Sequence, residues 1–184
     1  MTTTYFTATT LDGFIASEED SLEWLFKQEA DGVRDDERFS YDTFIAGIGA
    51  MAMGATTYQW ILDHQERTGE SWVYDIPSWV FTHREFSVTE AGVRFATDVA
   101  TEYPLMLEAA GERGIWVVGG GDLVGQFADH GWLDEVIVSI APVTLGRGRG
   151  LLARELDLEF VEAGMSGPFL CARLRVLKPA TLAQ

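Results

Sequence analysis

The stretch IWVVGGGDLVGQF, residues 115–127, sets three consecutive glycines, Gly119, Gly120 and Gly121, between an apolar β-forming run and an amphipathic one. Glycine weakens both strand and helix, so a triplet signals a need for bare backbone. IWVV reads as a central strand. Leu123 and Phe127, like Val124 and Ala128, recur at i and i+4, so a helix starts near Asp122. The glycines therefore stand between the carboxyl end of a strand and a helix amino terminus, where open α/β sheets bind ligands. Free N–H groups and the helix dipole favour an anion there, and missing side chains let a phosphate reach the backbone. The dinucleotide fingerprint G-x-G-x-x-G does not fit. Counted from Gly119 its third glycine falls on Val124, and counted from Gly120 its second falls on Asp122. A P-loop fails as well, because Gln126 stands where lysine is required.

A second segment, AMAMGATTYQW, repeats the logic: a short buried strand, then Gly54, then a helix opened by Thr56 and Thr57. Either threonine can cap that helix or donate to a phosphate. Two anion-suited helix starts on one sheet point to a ligand with two phosphates, as a dinucleotide has. A third segment, VFTHRE, ends a strand with Thr82, His83 and Arg84. A hydroxyl, an imidazole and a guanidinium together suit an adenosine 2′-phosphate.

These segments need elements to hold them. Residues 5–16 read as a strand interrupted at Asp12-Gly13, and 21–28 as a helix capped by Ser21. A second helix is predicted over 35–49, a strand over 50–53 and a third helix from 55 to about Gly69. Strands follow at 78–83 and 92–97. A helix then carries Pro104 in its first turn and ends at Gly111. After the glycine segment come a helix stopped by Gly131, a strand over 135–143, and two last strands flanking the turn GMSG. Alternating strands and helices predict an α/β layer with a mainly parallel sheet, and the tail predicts antiparallel strands at one edge.

Composition narrows the partners. The chain has 184 residues, enough for one domain with a real core, and a formal charge of −16. That charge disfavours nucleic acid and anionic membrane surfaces as partners. Cys171 is the lone cysteine, so no internal disulfide forms and no multi-cysteine metal site exists; no metal is expected. No signal-like or membrane-spanning run is present, so a cytoplasmic protein is expected.

Taken in order, TTLDGFIA, MGATTYQW, VFTHRE, VVGGGDLVGQF and LDEVIVSIAPVTLGRG resemble the dihydrofolate reductase-like superfamily. The nearer likeness is to the reductase domain of the bifunctional riboflavin-biosynthesis deaminase–reductase and its stand-alone relatives. The resemblance implies a mixed, mainly parallel sheet flanked by helices, with NADPH bound in an extended pose. It places the pyrophosphate region on Gly54, Ala55, Thr56 and Thr57 and on Gly119, Gly120, Gly121, Asp122, Leu123 and Val124. It places the adenosine 2′-phosphate on Thr82, His83 and Arg84. Ala55 departs from the family, whose members often carry arginine there, and no deaminase zinc motif is present. The implied activity is hydride transfer from NADPH to a planar nitrogen heterocycle, closest to the pyrimidine reductases of riboflavin biosynthesis. Reduction of dihydrofolate is one alternative, and a non-catalytic nucleotide-binding or scaffold protein is another.

On the substrate side the resemblance puts Asp12 in the loop beside the nicotinamide and Glu23 near the mouth of the site, as the carboxylates nearest to catalysis. Trp24 is placed to stack on a planar ring. Arg147 and Arg149 of GRGRG are placed to bind a sugar phosphate. Relatives commonly pair as two-fold dimers. Here Leu170, Ala172, Leu174 and Val176 alternate with Cys171, Arg173 and Arg175 on what is expected to be an edge strand. A homodimer held partly through residues 156–178 is the expected assembly.

Overall fold

A computed structural model describes residues 1–28, 36–72, 74–87 and 90–178. Short runs of β-branched, aromatic and small apolar residues form its strands: β1 (Thr3–Thr10), β2 (Phe14–Ala16), β3 (Ile48–Gly54), β4 (Ser78–Phe81) and β5 (Val93–Ala96). They continue as β6 (Gly114–Gly119), β7 (Glu135–Ala141), β8 (Arg149–Gly150), β9 (Leu158–Ser166) and β10 (Phe169–Val176). The helices are α1 (Glu23–Phe26), α2 (Tyr41–Ala46), α3 (Ala55–Thr68), α4 (Val99–Ala110) and α5 (Gly121–Asp129).

Eight strands form one sheet in the order β5-β4-β3-β6-β1-β7-β10-β9, and β2 pairs with β8 in a small ribbon. From β5 to β7 every pairing is parallel, whereas β10 runs antiparallel to both β7 and β9. The mixed, mainly parallel sheet with antiparallel C-terminal strands is thus present as expected. Strand alternation splits the apolar residues between two faces. Ala50, Ala52, Ile115, Val117 and Val138 meet Val99, Met106, Val124 and Phe127 of α4 and α5. Met51, Met53 and Trp116 meet Tyr58 of α3 and Phe44 of α2 on the other. No described helix is long and apolar enough to cross a membrane.

Several local expectations are corrected. The first helix is one turn, Glu23–Phe26, and Leu22 rather than Ser21 holds the cap position. The second is shorter than 35–49; a 3₁₀ turn at Glu37–Phe39 precedes α2, and Ile48 already belongs to β3. Asp35 lies outside the described residues. Pro104 sits inside α4, not in its first turn, because Asp98 caps the helix earlier by accepting from the Thr101 N–H at 2.7 Å. The bond Pro104 forfeits falls on the carbonyl of exposed Ala100. GMSG is not a turn either: Gly164, Met165 and Ser166 continue β9. Finally, β10 is an interior strand and β9 is the edge. Ala172, Leu174 and Val176 are buried against the α4–α5 side, so they are core rather than a surface for a partner.

Candidate active site

β3 and β6 are neighbours, with Met53 opposite Gly119. β3 runs into α3 on one face of the sheet, and β6 runs into α5 on the other. The two chains diverge at a crevice beyond the strand ends, the arrangement in which doubly wound sheets take ligands. Gly54 and Gly120 hold the two cap positions, and neither helix start is closed by a side chain. The free N–H groups of both helices therefore face a shared cleft of about 990 Å3.

Each glycine has its own reason. Gly119 has φ +140, which side-chain-bearing residues rarely adopt. At Gly120 an added Cβ would meet only the Ile15 Cδ1, at 4.0 Å, so the position opens into the cleft. At Gly121 it would lie 2.6 Å from the Gly150 carbonyl oxygen and 2.8 Å from that of Leu151. The β8 segment packs directly on the start of α5. A Cβ at Gly54 would approach the Gly119 oxygen and the Gly120 nitrogen, both at 3.7 Å, so the two glycine segments meet.

Gly54, Ala55, Thr56, Thr57, Gly119, Gly120, Gly121, Asp122 and Leu123 all line this cleft. Val124 does not; it is fully buried in the core. Asp122, an anion where phosphate would sit, is balanced by Arg154 at 3.5 Å. Of Thr82, His83 and Arg84 only Arg84 lines the cleft. The Thr82 hydroxyl is spent on the turn, accepting from the Arg84 N–H at 2.8 Å, and exposed His83 lies outside the lining. The Arg84 guanidinium faces no carboxylate within ion-pair distance among the described residues, whereas nine other described Lys and Arg each do.

The substrate-side expectations fare differently. Asp12 is a structural clasp outside the cleft. It accepts from the Thr10 hydroxyl and from the N–H groups of Leu145 and Gly146, the last at 2.7 Å. Those bonds, the Thr10 hydroxyl first, hold its carboxyl below the usual range, so it keeps no proton to give. Glu23 is exposed and paired with Lys27 one turn on. Trp24 is buried beside the site rather than in it. Arg147 points to solvent near Glu18, 3.6 Å away. Arg149 does line the cleft, but Asp20 at 2.6 Å and the Glu18 carbonyl hold its guanidinium.

What sequence reading missed is the floor. Phe6 and Ala8 of β1, Trp116 and Val118 of β6 and Ser139 of β7 line the cleft on its α2–α3 side. Trp116 is the hub. Its indole N–H donates to the Phe6 carbonyl at 3.1 Å, and Phe6, Tyr41, Phe44 and Tyr74 all meet its ring edge-on, with centroids 5.6–6.4 Å away. The period-two pairs Phe6/Ala8 and Trp116/Val118 were the available signal. Among the described residues no cluster of His, Cys, Asp or Glu could hold a metal.

The model of the RibD C-terminal domain matches residues 2–171. The chain belongs to that family. Two uncharacterized Bacillus subtilis (strain 168) proteins are similar to it. YwjB is 28% identical over 152 residues, 79% of each chain. YyaP is 27% identical over 152 residues, 78% of this chain and 76% of its own. Among solved structures, a Shewanella sp. PV-4 protein named "Putative riboflavin biosynthesis protein" superposes with a TM-score of 0.79 at 20% identity, covering 97% of this chain and all of its own. The Thermotoga maritima diaminohydroxyphosphoribosylaminopyrimidine deaminase/5-amino-6-(5-phosphoribosylamino)uracil reductase superposes at 0.61 and 17% identity, covering 96% of this chain and 56% of that one. These likenesses bear on the fold.

Proposed function

We propose that this RibD C-terminal domain protein is an NADPH-dependent reductase that transfers a hydride to a planar nitrogen heterocycle. One observation carries the reading: two uncapped helix starts, on adjacent strands and opposite faces, open into one cleft at Gly54 and Gly120. The residues fit the cofactor. Gly120 leaves room for a pyrophosphate against the backbone, and Thr56 and Thr57 add hydroxyls beside it. Arg84, a guanidinium with no carboxylate within ion-pair distance among the described residues, would take the 2′-phosphate.

When bound, the reduced nicotinamide supplies the hydride. The chain's own part is to hold the planar acceptor on the aromatic floor and to exclude water with the β2–β8 ribbon. Among the described residues no carboxylic acid stands on that floor.

Direct titration with NADPH and NADH tests the reading. Saturable NADPH binding, several-fold tighter than NADH, is expected. No binding of either nucleotide would sink it.

A further inference from the structure

The Thermotoga protein's name contains a phosphoribosyl group, and a site for such a substrate needs cations. Among the described residues the substrate end of this cleft offers none that is free. Its floor and walls are aromatic or small: Phe6, Tyr41, Tyr74, Trp116, Trp60 and Ser139. The one guanidinium beside them among the described residues, Arg149, already faces Asp20 and the Glu18 carbonyl, so that corner is neutral. Arg147 lies outside the lining. The chain as a whole carries −16. A phosphate drawn into this end would lose its hydration without gaining a counter-charge. A cationic ring finds no free carboxylate among the described residues there, because Asp20 belongs to Arg149.

What the site does offer is flat apolar area and neutral hydroxyls. Trp116 is fixed by its bond to the Phe6 carbonyl and by the rings around it, so the floor is set before a ligand arrives. The Tyr41 and Tyr74 phenols hydrogen-bond to no other described residue, and burial raises the titration of both, leaving neutral O–H groups across the working pH range. Ser139 adds a third hydroxyl on the floor.

We infer that the substrate is an uncharged, planar, conjugated ring system without a phosphate, held on the Trp116 floor and hydrogen-bonded through Tyr41, Tyr74 and Ser139. This rests on the reductase reading for the identity of the reaction, but not for the binding.

Equilibrium dialysis in the presence of saturating NADP+ tests it. The probes are lumichrome, a neutral flat tricycle, and 5-amino-6-ribosylaminouracil with and without its 5′-phosphate. Lumichrome is expected to bind saturably, and the phosphate is expected to give no gain in affinity. Tyr41→Ala, at a 43% exposed position, should weaken lumichrome at least tenfold while leaving NADP+ unchanged. Ser139→Asp, which puts a carboxylate on the floor, should do the same. The inference is overturned if lumichrome does not bind, if the phosphorylated uracil binds more than threefold tighter than its unphosphorylated form, or if neither variant alters lumichrome affinity. NADP+ titrated alone separates the two claims. If NADP+ binds and lumichrome does not, the substrate class fails and the reductase reading stands. If lumichrome binds and NADP+ does not, the reverse holds.

Discussion

Replacing each of two adjacent glycines by alanine should separate a folding role from a binding role. At Gly121 the new methyl would sit 2.6 Å and 2.8 Å from two backbone carbonyl oxygens of the β8 segment. Ordinary contact needs at least about 0.6 Å more, and neither oxygen is on a flexible side chain. Overpacking of this kind costs about 1–3 kcal/mol, or about 3–10 °C of melting temperature for a chain of this length. At Gly120 the nearest atom is 4.0 Å away, so the methyl should leave stability within about 0.5 kcal/mol of the parent. That methyl would instead occupy the space proposed for pyrophosphate. NADPH at a hundred times its Kd stabilises by about 2.7 kcal/mol; weakened tenfold, the same concentration gives about 1.4 kcal/mol. Thermal melts with and without NADPH provide both numbers. Gly121→Ala should lower the apo melting temperature, and Gly120→Ala should roughly halve the ligand-induced rise. Equal apo melts for the two variants, or an undiminished NADPH shift in Gly120→Ala, would refute the reasoning.

Arg84→Ala should weaken NADPH by about five- to thirtyfold, the equivalent of about 1–2 kcal/mol for an exposed charge-assisted contact, and change NADH less than twofold; titration of both nucleotides decides it. Burial pushes the Tyr74 phenol up to about 12 from its ordinary 10. Its folded-state value is raised, so its stabilisation is intact below pH 10 and is lost as pH climbs from 10 to 12. Tyr74→Phe should flatten the alkaline limb of a denaturation-versus-pH curve by about 2–3 kcal/mol, and an unchanged limb would show that Tyr74 is not responsible. The edge strand β9 carries Phe160 at 72% and Met165 at 56% exposure, beside Leu170 on β10. We propose that a second copy pairs there about a two-fold axis, in place of the β10 face expected from sequence. Light scattering at micromolar concentration should give twice 20.4 kDa, and Phe160→Glu should return it to one chain's mass.

The parts of the site that were legible in the sequence are those made by contiguous residues. Gly54 and the 119–121 triplet each mark a strand end, a turn and a helix start within a few positions, and backbone rules act over that range. Alternation also located most strands. The floor was illegible because it is assembled from Phe6, Tyr41, Tyr74 and Trp116, scattered over more than a hundred residues, and each reads alone as an ordinary core aromatic. Only the pairing of β1 with β6 and the seating of α2 bring them together. Asp12 misled for a related reason. Its proximity to a glycine turn was visible, but its partners Leu145 and Gly146 lie more than 130 positions away. The tail misled because strand order is a tertiary property: β9 precedes β10 in sequence yet lies outside it in the sheet.

The contact of Gly121 with the carbonyls of Gly150 and Leu151 also limits how this sequence can drift. No side chain can enter position 121 unless the segment around 146–152 is displaced, and that segment is tied down by the Asp12 clasp at one end and by Arg149 at the other. The third glycine and the course of that loop therefore constrain each other. A descendant that lengthens the loop frees position 121 to vary, and one that keeps the loop keeps the glycine whatever the site has come to bind.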